Sequence, residues 1–186
     1  LNNNLRQRLI QLIKDRAFLQ SDKEEFLLAS GKKSRYYFNL KKVLYNPEAL
    51  YIVGKLCYEM LKSLKLNPTH VGGLTLGADP IAMAIARYSY DVSDPIEAFV
   101  VRKEAKSHGS KSQIEGYIDK GAKVVILEDV LTTGTSALKA IDATTQAGIT
   151  VLAVLVLLDR QEGGKENLQA RGFPVYSVLT IKDFIN

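Results

Sequence analysis

The run ITVLAVLVLL, Ile149 to Leu158, is the longest apolar stretch in the chain and the feature that most limits its fold. It covers about half of the ~20 residues that a membrane-spanning helix needs. Its β-branched residues suit an extended backbone, so Thr150–Leu158 within it reads as a buried strand. Similar apolar runs occur at His70–Leu74, Ile96–Val101, Lys123–Leu127 and Val175–Thr180, with helical segments after Asp79-Pro80 and after Ser136. Strand and helix in alternation predict an α/β fold, a doubly wound and mainly parallel sheet flanked by helices. Ligands of such sheets sit beyond the carboxyl ends of the strands. Three polar or glycine-rich turns fall there: GGLTLGADP, RKEAKSHGSKSQIEG and EDVLTTGTS.

A length of 186 residues with 46% apolar content is enough for one core, and no linker or repeat divides it, so residues 1–186 are expected to form one domain. A net charge of +5 is compatible with nucleic acid, a membrane surface or a small acidic ligand, but most of the lysines and arginines are scattered. No recognition helix or aromatic RNA-binding signature appears, and no signal peptide or membrane span, so neither nucleic acid nor membrane is an expected partner. The single Cys57 can form no internal disulfide, and its helical setting KLCYEMLKSL marks it as a core thiol. Both points favour a reducing, cytoplasmic location.

Leu5, Leu9, Leu12 and Ile13 recur at helical spacing, which predicts an amphipathic first helix. EEFLLASGKKSRYYFNLKKV predicts two short strands around a polar turn from Ser30 to Arg35. Pro47 opens a longer helix with an apolar stripe of Leu50, Val53, Cys57, Met60, Leu61 and Leu64. Asp79 and Pro80 read as the cap and first residue of the next helix, and His70, ahead of the apolar VGGL, reads as structural.

VVILEDVLTTGTS, Val124 to Ser136, is the most informative string. An apolar strand runs into the acids Glu128 and Asp129 and then into a turn of small hydroxyl residues. The helix that follows starts at Thr135 or Ser136, so its free N–H groups, the hydroxyls of Thr132, Thr133 and Thr135, and the backbone of Gly134 form a cradle for a phosphate. Two carboxylates beside an anion site would repel a second phosphate. They suit neutral hydroxyls instead, such as those of a ribose. The string therefore reads a sugar 5-phosphate.

VVILEDVLTTGTS resembles the phosphoribosyl diphosphate signature of the type I phosphoribosyltransferases. VVRKEAKSHGSKSQIEG, FLLASGKKSRYYFN and LLDRQEGG narrow the resemblance to the orotate phosphoribosyltransferases, over roughly residues 20–165. The resemblance implies transfer of the 5-phosphoribosyl group from 5-phosphoribosyl 1-diphosphate to orotate, giving orotidine 5-phosphate and diphosphate in pyrimidine synthesis. It also implies an N-terminal hood over about residues 1–45, a core over 46–186, and a homodimer. By the same resemblance Glu128, Asp129, Val130, Leu131, Thr132, Thr133, Gly134, Thr135 and Ser136 bind the sugar diphosphate. Thr132 and Arg160 contact orotate, and Tyr37 and Phe38 flank it. Arg102, Lys103, Lys106 and His108 match a mobile loop that closes on the diphosphate, often over the neighbouring subunit's site, and the catalytic set is Lys106, His108, Arg102 and Asp129.

Each implied role has a physical reason. Cations stabilise the charge that grows on the leaving diphosphate, Lys106 or His108 could protonate it, and a closed loop keeps water from the reactive sugar. An Arg fork suits the orotate carboxylate. Mg2+ is the implied cofactor, held mainly by substrate oxygens and water, because no acid cluster suggests a protein cage. There are two departures from the enteric-type pattern: Ala29 stands for a lysine, and Leu76-Gly77 for a Tyr-Lys pair. The loss of these two cationic contacts would weaken binding of the sugar diphosphate or shift it to Lys32, Lys33 or the mobile loop. The rivals are a phosphoribosyltransferase for a purine base, against which the loop string and Arg160 argue, and a non-catalytic regulator of nucleic acid that senses the sugar diphosphate.

Overall fold

The structure is a computed structural model that describes residues 2–23, 25–27, 31, 33–104 and 112–185. Its elements are α1 (Asn3–Arg16), β1 (Phe18–Gln20), β2 (Phe26–Leu27), β3 (Lys33–Ser34), β4 (Tyr36–Phe38), α2 (Lys41–Leu44) and α3 (Pro47–Ser63). There follow β5 (His70–Leu74), α4 (Asp79–Asp91), β6 (Glu97–Val101), β7 (Ile114–Glu115), β8 (Lys123–Leu131), α5 (Thr135–Gln146), β9 (Thr150–Asp159), α6 (Gly164–Ala170) and β10 (Val175–Thr180). The main sheet has the order β10-β9-β8-β5-β6-β7, parallel throughout except for β7.

Alternate residues of the central strands feed two cores. Val125, Leu127, Ala153 and Leu155 pack with residues of α1, α3 and α4 on one face. Val124, Ile126, Val154 and Val156 pack with Ala137, Ala140 and Ile141 of α5 and Leu168 of α6 on the other. This is why the run at Ile149–Leu158 lacks polar alternation: helices cover both of its faces. Cys57 is buried in the first core, where loss of solvation pushes its thiol up to about 12 and keeps it unreactive. Among the described residues no helix is long and apolar enough to cross a membrane.

Several local expectations need correction. β8 does not stop at Leu127 but continues through the acid pair to Leu131, because β9 supplies ladder partners as far as Leu131↔Asp159. β5 pairs with β8 only as far as Gly72↔Ile126. From Leu127 onward β8 therefore keeps one paired side and opens on the other, and that opening is the start of the cleft. At the N-terminus, β2 pairs with β3, whereas β4 pairs with β1, a strand the sequence reading lacked. Ser34 Oγ accepts the Tyr36 N–H at 3.1 Å, which separates β3 from β4 at Arg35. Asp79 is inside α4, not its cap: Ala78 holds that place, and Asp79 Oδ2 accepts from Thr75 Oγ1 at 2.7 Å. His70 lies at the far end of β5 from the cleft, held by Thr69 Oγ1 at 2.9 Å and the Tyr117 carbonyl at 3.0 Å.

Candidate active site

Two cavities meet at the carboxyl end of β8. One, of about 230 Å³, lies over the turn Thr132–Ser136. The other, of about 370 Å³, lies between β4, α2 and β8 and includes Tyr37, Phe38, Lys41, Asp129 and Arg160. Glu128, Val130, Thr132 and Ser136 line both. The phosphate cradle expected from the sequence and the aromatic and arginine positions are thus neighbouring parts of one cleft.

The cradle is built from both sides. Gly134, at φ +84°, precedes α5, and no side chain of the turn caps the helix, so N–H groups of the first turn face the cavity. The hydroxyls of Thr133 and Thr135 lie 3.0 Å apart. From behind, Asn167 of α6 donates to the Thr133 carbonyl at 3.0 Å. Gly164 packs so close that a Cβ there would stand 2.4 Å from the Thr132 carbonyl oxygen. This role of the second glycine in LLDRQEGG, and the helix α6 that it opens, escaped the sequence reading, since a glycine pair after a strand signals only a turn. Gly164→Ala is expected to force the turn and α6 apart and to destabilise the protein by ~1–3 kcal/mol. Thermal denaturation checks this, and a Tm equal to that of the wild type would contradict the packing role.

Glu128 and Asp129 are half-buried in the cleft wall. Asp129 Oδ1 accepts the Val130 N–H at 2.9 Å, and Asp129 Oδ2 lies 3.8 Å from Lys41 Nζ. Burial, and then the charge of Asp129, push the Glu128 carboxyl from 4.5 up to about 8, partly offset by Lys41 and by the Ala137 N–H that it accepts. A carboxyl raised this far can keep its proton at neutral pH. Glu128 can donate to a sugar oxygen as well as accept.

The same shift sets a pH dependence. The folded chain keeps a proton on Glu128 that the unfolded chain releases near 4.5, so stability falls as pH rises from there towards about 8. Glu128→Gln cannot ionise. Its Tm is expected to exceed the wild-type value at about pH 8.5 and to match it near about pH 5. Parallel Tm curves across that range would show that Glu128 titrates normally.

Arg160 forms part of the wall of the larger cavity, with only 3% of its side chain exposed. Its Nη2 lies 2.8 Å from Glu162 Oε1 and donates to Ser34 Oγ at 3.0 Å and to the Tyr36 carbonyl at 3.2 Å. The guanidinium also lies 5.8 Å from the Phe38 ring centroid. Burial lowers its pKa while Glu162 raises it, and the desolvation is the larger cause. Of the two aromatic residues, Tyr37 is 36% exposed and stacks on Phe26, whereas Phe38 is mostly committed to the core against Phe18 and Phe184.

The loop cations are placed differently. Lys106 and His108 lie outside the described residues, as do Ala29 and Lys32. Arg102 and Lys103 line a separate hollow with Lys139 and Asp142, and Arg102 Nη1 lies 3.3 Å from Glu115 Oε1. The structure does not bring these two into the cleft with Asp129 and the phosphate turn. Ser34 and Lys41 are cleft or support residues that the sequence reading missed, whereas Glu162 is one of the two acids, with Asp159, that the sequence offers as an ion-pair partner for Arg160. Lys41 carried only the weak signal of a basic pair directly after the aromatic strand.

A parallel sheet with a phosphate turn, a neighbouring acid pair and a hooded cavity at its carboxyl edge defines a type I phosphoribosyltransferase. Residues 39–185 match the phosphoribosyl transferase domain. The orotate phosphoribosyltransferase of Aquifex aeolicus is 49% identical over 97% of both chains, and that of Nostoc is 44% identical over 97% of this chain and 85% of its own. The crystal structure of Mycobacterium tuberculosis orotate phosphoribosyltransferase superposes with a TM-score of 0.84 at 36% identity, covering 98% and 99% of the two chains. The chain belongs to the orotate phosphoribosyltransferases. The Leishmania donovani adenine phosphoribosyltransferase shares the fold with a TM-score of 0.65 at 18% identity, so the fold by itself does not choose the base.

Proposed function

We infer that the chain transfers the 5-phosphoribosyl group from 5-phosphoribosyl 1-diphosphate to N1 of orotate, forming orotidine 5-phosphate and diphosphate in pyrimidine synthesis. The observation that carries this reading is the junction of the two cavities, where a phosphate turn and an arginine-walled aromatic hollow share Glu128, Val130, Thr132 and Ser136. A sugar phosphate anchored at 132–136 would present C1 towards the hollow, and a planar base held there would present its ring nitrogen to C1.

Catalysis is then positioning and charge stabilisation, with no covalent intermediate on the protein. N–H groups and hydroxyls of the 132–136 turn hold the 5-phosphate, and Asp129 and Glu128 bind ribose hydroxyls. Arg160 and Thr132 hold orotate while Tyr37 and Phe38 flank it. As the C1–O bond to diphosphate breaks and the N1–C1 bond forms, Lys106, His108, Arg102 and Lys103 stabilise the leaving group. Since Arg102 and Lys103 lie apart from their own cleft, a homodimer in which the loop completes the neighbouring site fits their position. Residues 1–45 serve as hood and 46–186 as core of one domain, and the protein works in the cytoplasm.

Among the described residues no three His, Cys, Asp or Glu side chains come together as a metal cage. Asp129 offers hard oxygen donors of the kind Mg2+ takes, and Glu128 does so once it loses its proton, so the ion would be held beside them mainly by substrate oxygens and water. Bound there, it supplies charge neutralisation on the diphosphate. The test is stoichiometry: one diphosphate and one orotidine 5-phosphate should appear for each orotate lost. Diphosphate released without nucleotide would indicate hydrolysis and contradict transfer.

A further inference from the structure

Asp129 stands between two positions that the reading above leaves without a role. On one side Gly77 presses against it, and a Cβ at Gly77 would lie 2.5 Å from Asp129 Oδ1. No side chain fits at 77 unless the carboxylate moves. On the other side Lys41 brings its ammonium to 3.8 Å from Asp129 Oδ2. Lys41 comes from α2, which follows the aromatic strand β4 directly and is anchored by the buried Val43 and Leu44. Its side chain is 45% exposed, and the separation is too long for a hydrogen bond, so the cation is held loosely. Lys41 and Arg160 are the cations among the described residues that line the larger cavity, and Arg160 is engaged with Ser34, Tyr36 and Glu162.

We propose that Lys41 is a substrate-binding residue for the sugar diphosphate, turning from Asp129 to the phosphate oxygens when the cleft fills and freeing Asp129 for the ribose hydroxyls. The inference rests on the reading that this cleft takes 5-phosphoribosyl 1-diphosphate. Charge balance motivates it, because a polyanion entering beside Glu128 and Asp129 needs a cation on the same wall. Position motivates it too: Gly77 belongs to the glycine-rich turn after β5, and Lys41 faces the opposite oxygen of the carboxylate that this turn touches.

The test is calorimetric titration of the whole protein with 5-phosphoribosyl 1-diphosphate and with inorganic diphosphate, both with Mg2+. It uses the wild type, Lys41→Gln, Lys41→Arg, Asp129→Asn and the Lys41→Gln/Asp129→Asn double variant. Lys41→Gln should weaken both ligands about tenfold to a hundredfold, and Lys41→Arg should restore most of the loss. The Lys41→Gln effect should persist in the Asp129→Asn background, because the ammonium touches the ligand itself. Unchanged binding by Lys41→Gln, or an effect that vanishes once Asp129 is neutral, would overturn the proposal and leave the function reading standing. A wild-type protein that binds neither ligand would overturn both.

Discussion

Replacing Arg160 by lysine is expected to raise the KM for orotate by about a hundredfold while the KM for 5-phosphoribosyl 1-diphosphate moves by less than about threefold. The size follows from what the guanidinium does at once. One nitrogen, Nη2, faces Glu162, Ser34 and the Tyr36 carbonyl, and the group sits beside the Phe38 ring in a wall with almost no solvent access. A lysine has a single charged nitrogen and no planar fork. It cannot hold the hood strand and also offer a two-point contact to a carboxylate. The variant should also lose some thermal stability, because Glu162 keeps a charge whose partner has become poorer. Steady-state kinetics with each substrate varied in turn separates the outcomes. Equal rises in both KM values would mean that Arg160 serves the architecture alone, and an unchanged KM for orotate would remove it from the base site.

Asp129→Asn should lower kcat/KM for 5-phosphoribosyl 1-diphosphate by about tenfold to a hundredfold, the equivalent of ~1.5–3 kcal/mol for hydrogen bonds to a charged acceptor. The substitution keeps the shape that Gly77 accommodates and an oxygen for the Val130 N–H, so the fold should survive. What it removes is the carboxylate proposed to accept from the ribose, and with it the charge that raises the Glu128 pKa. The pH dependence of sugar-diphosphate binding should therefore change along with its strength. Normal kinetics would show that the acid pair does not face the sugar.

The large features of this fold were legible because burial on two faces leaves a strong mark. β5 and β10 have the bounds that their apolar runs gave, and β9 adds only Asp159. The end of β8 was hidden. Glu128 and Asp129 look like the start of a turn, but a strand continues as long as a neighbour supplies hydrogen bonds, and β9 does so to Leu131. Hydrophobic pattern carries no record of that partner. β1 was missed for a similar reason: Phe18–Gln20 is a strand because β4 lies beside it, with Phe18 opposite Phe38.

Site residues divide the same way. The 132–136 turn, the acid pair and Arg160 could be named because their chemistry is local to short strings. Lys41, Ser34 and Gly164 act through neighbours remote in sequence: Asp129, Arg160 and the Thr132 carbonyl. Arg102 shows the converse. Its string fits a diphosphate loop, yet within one chain its side chain faces Glu115 and a hollow beside α5.

The central claim is that this cleft joins a phosphoribosyl group to orotate and to no other base. Its most direct test is loss of base absorbance with purified protein, Mg2+ and 5-phosphoribosyl 1-diphosphate, run in parallel on orotate, uracil, hypoxanthine and adenine. The arginine-walled hollow predicts that orotate alone is consumed. Consumption of a purine or of uracil at a comparable rate would contradict it, as would silence with all four bases from a protein that still binds the sugar diphosphate.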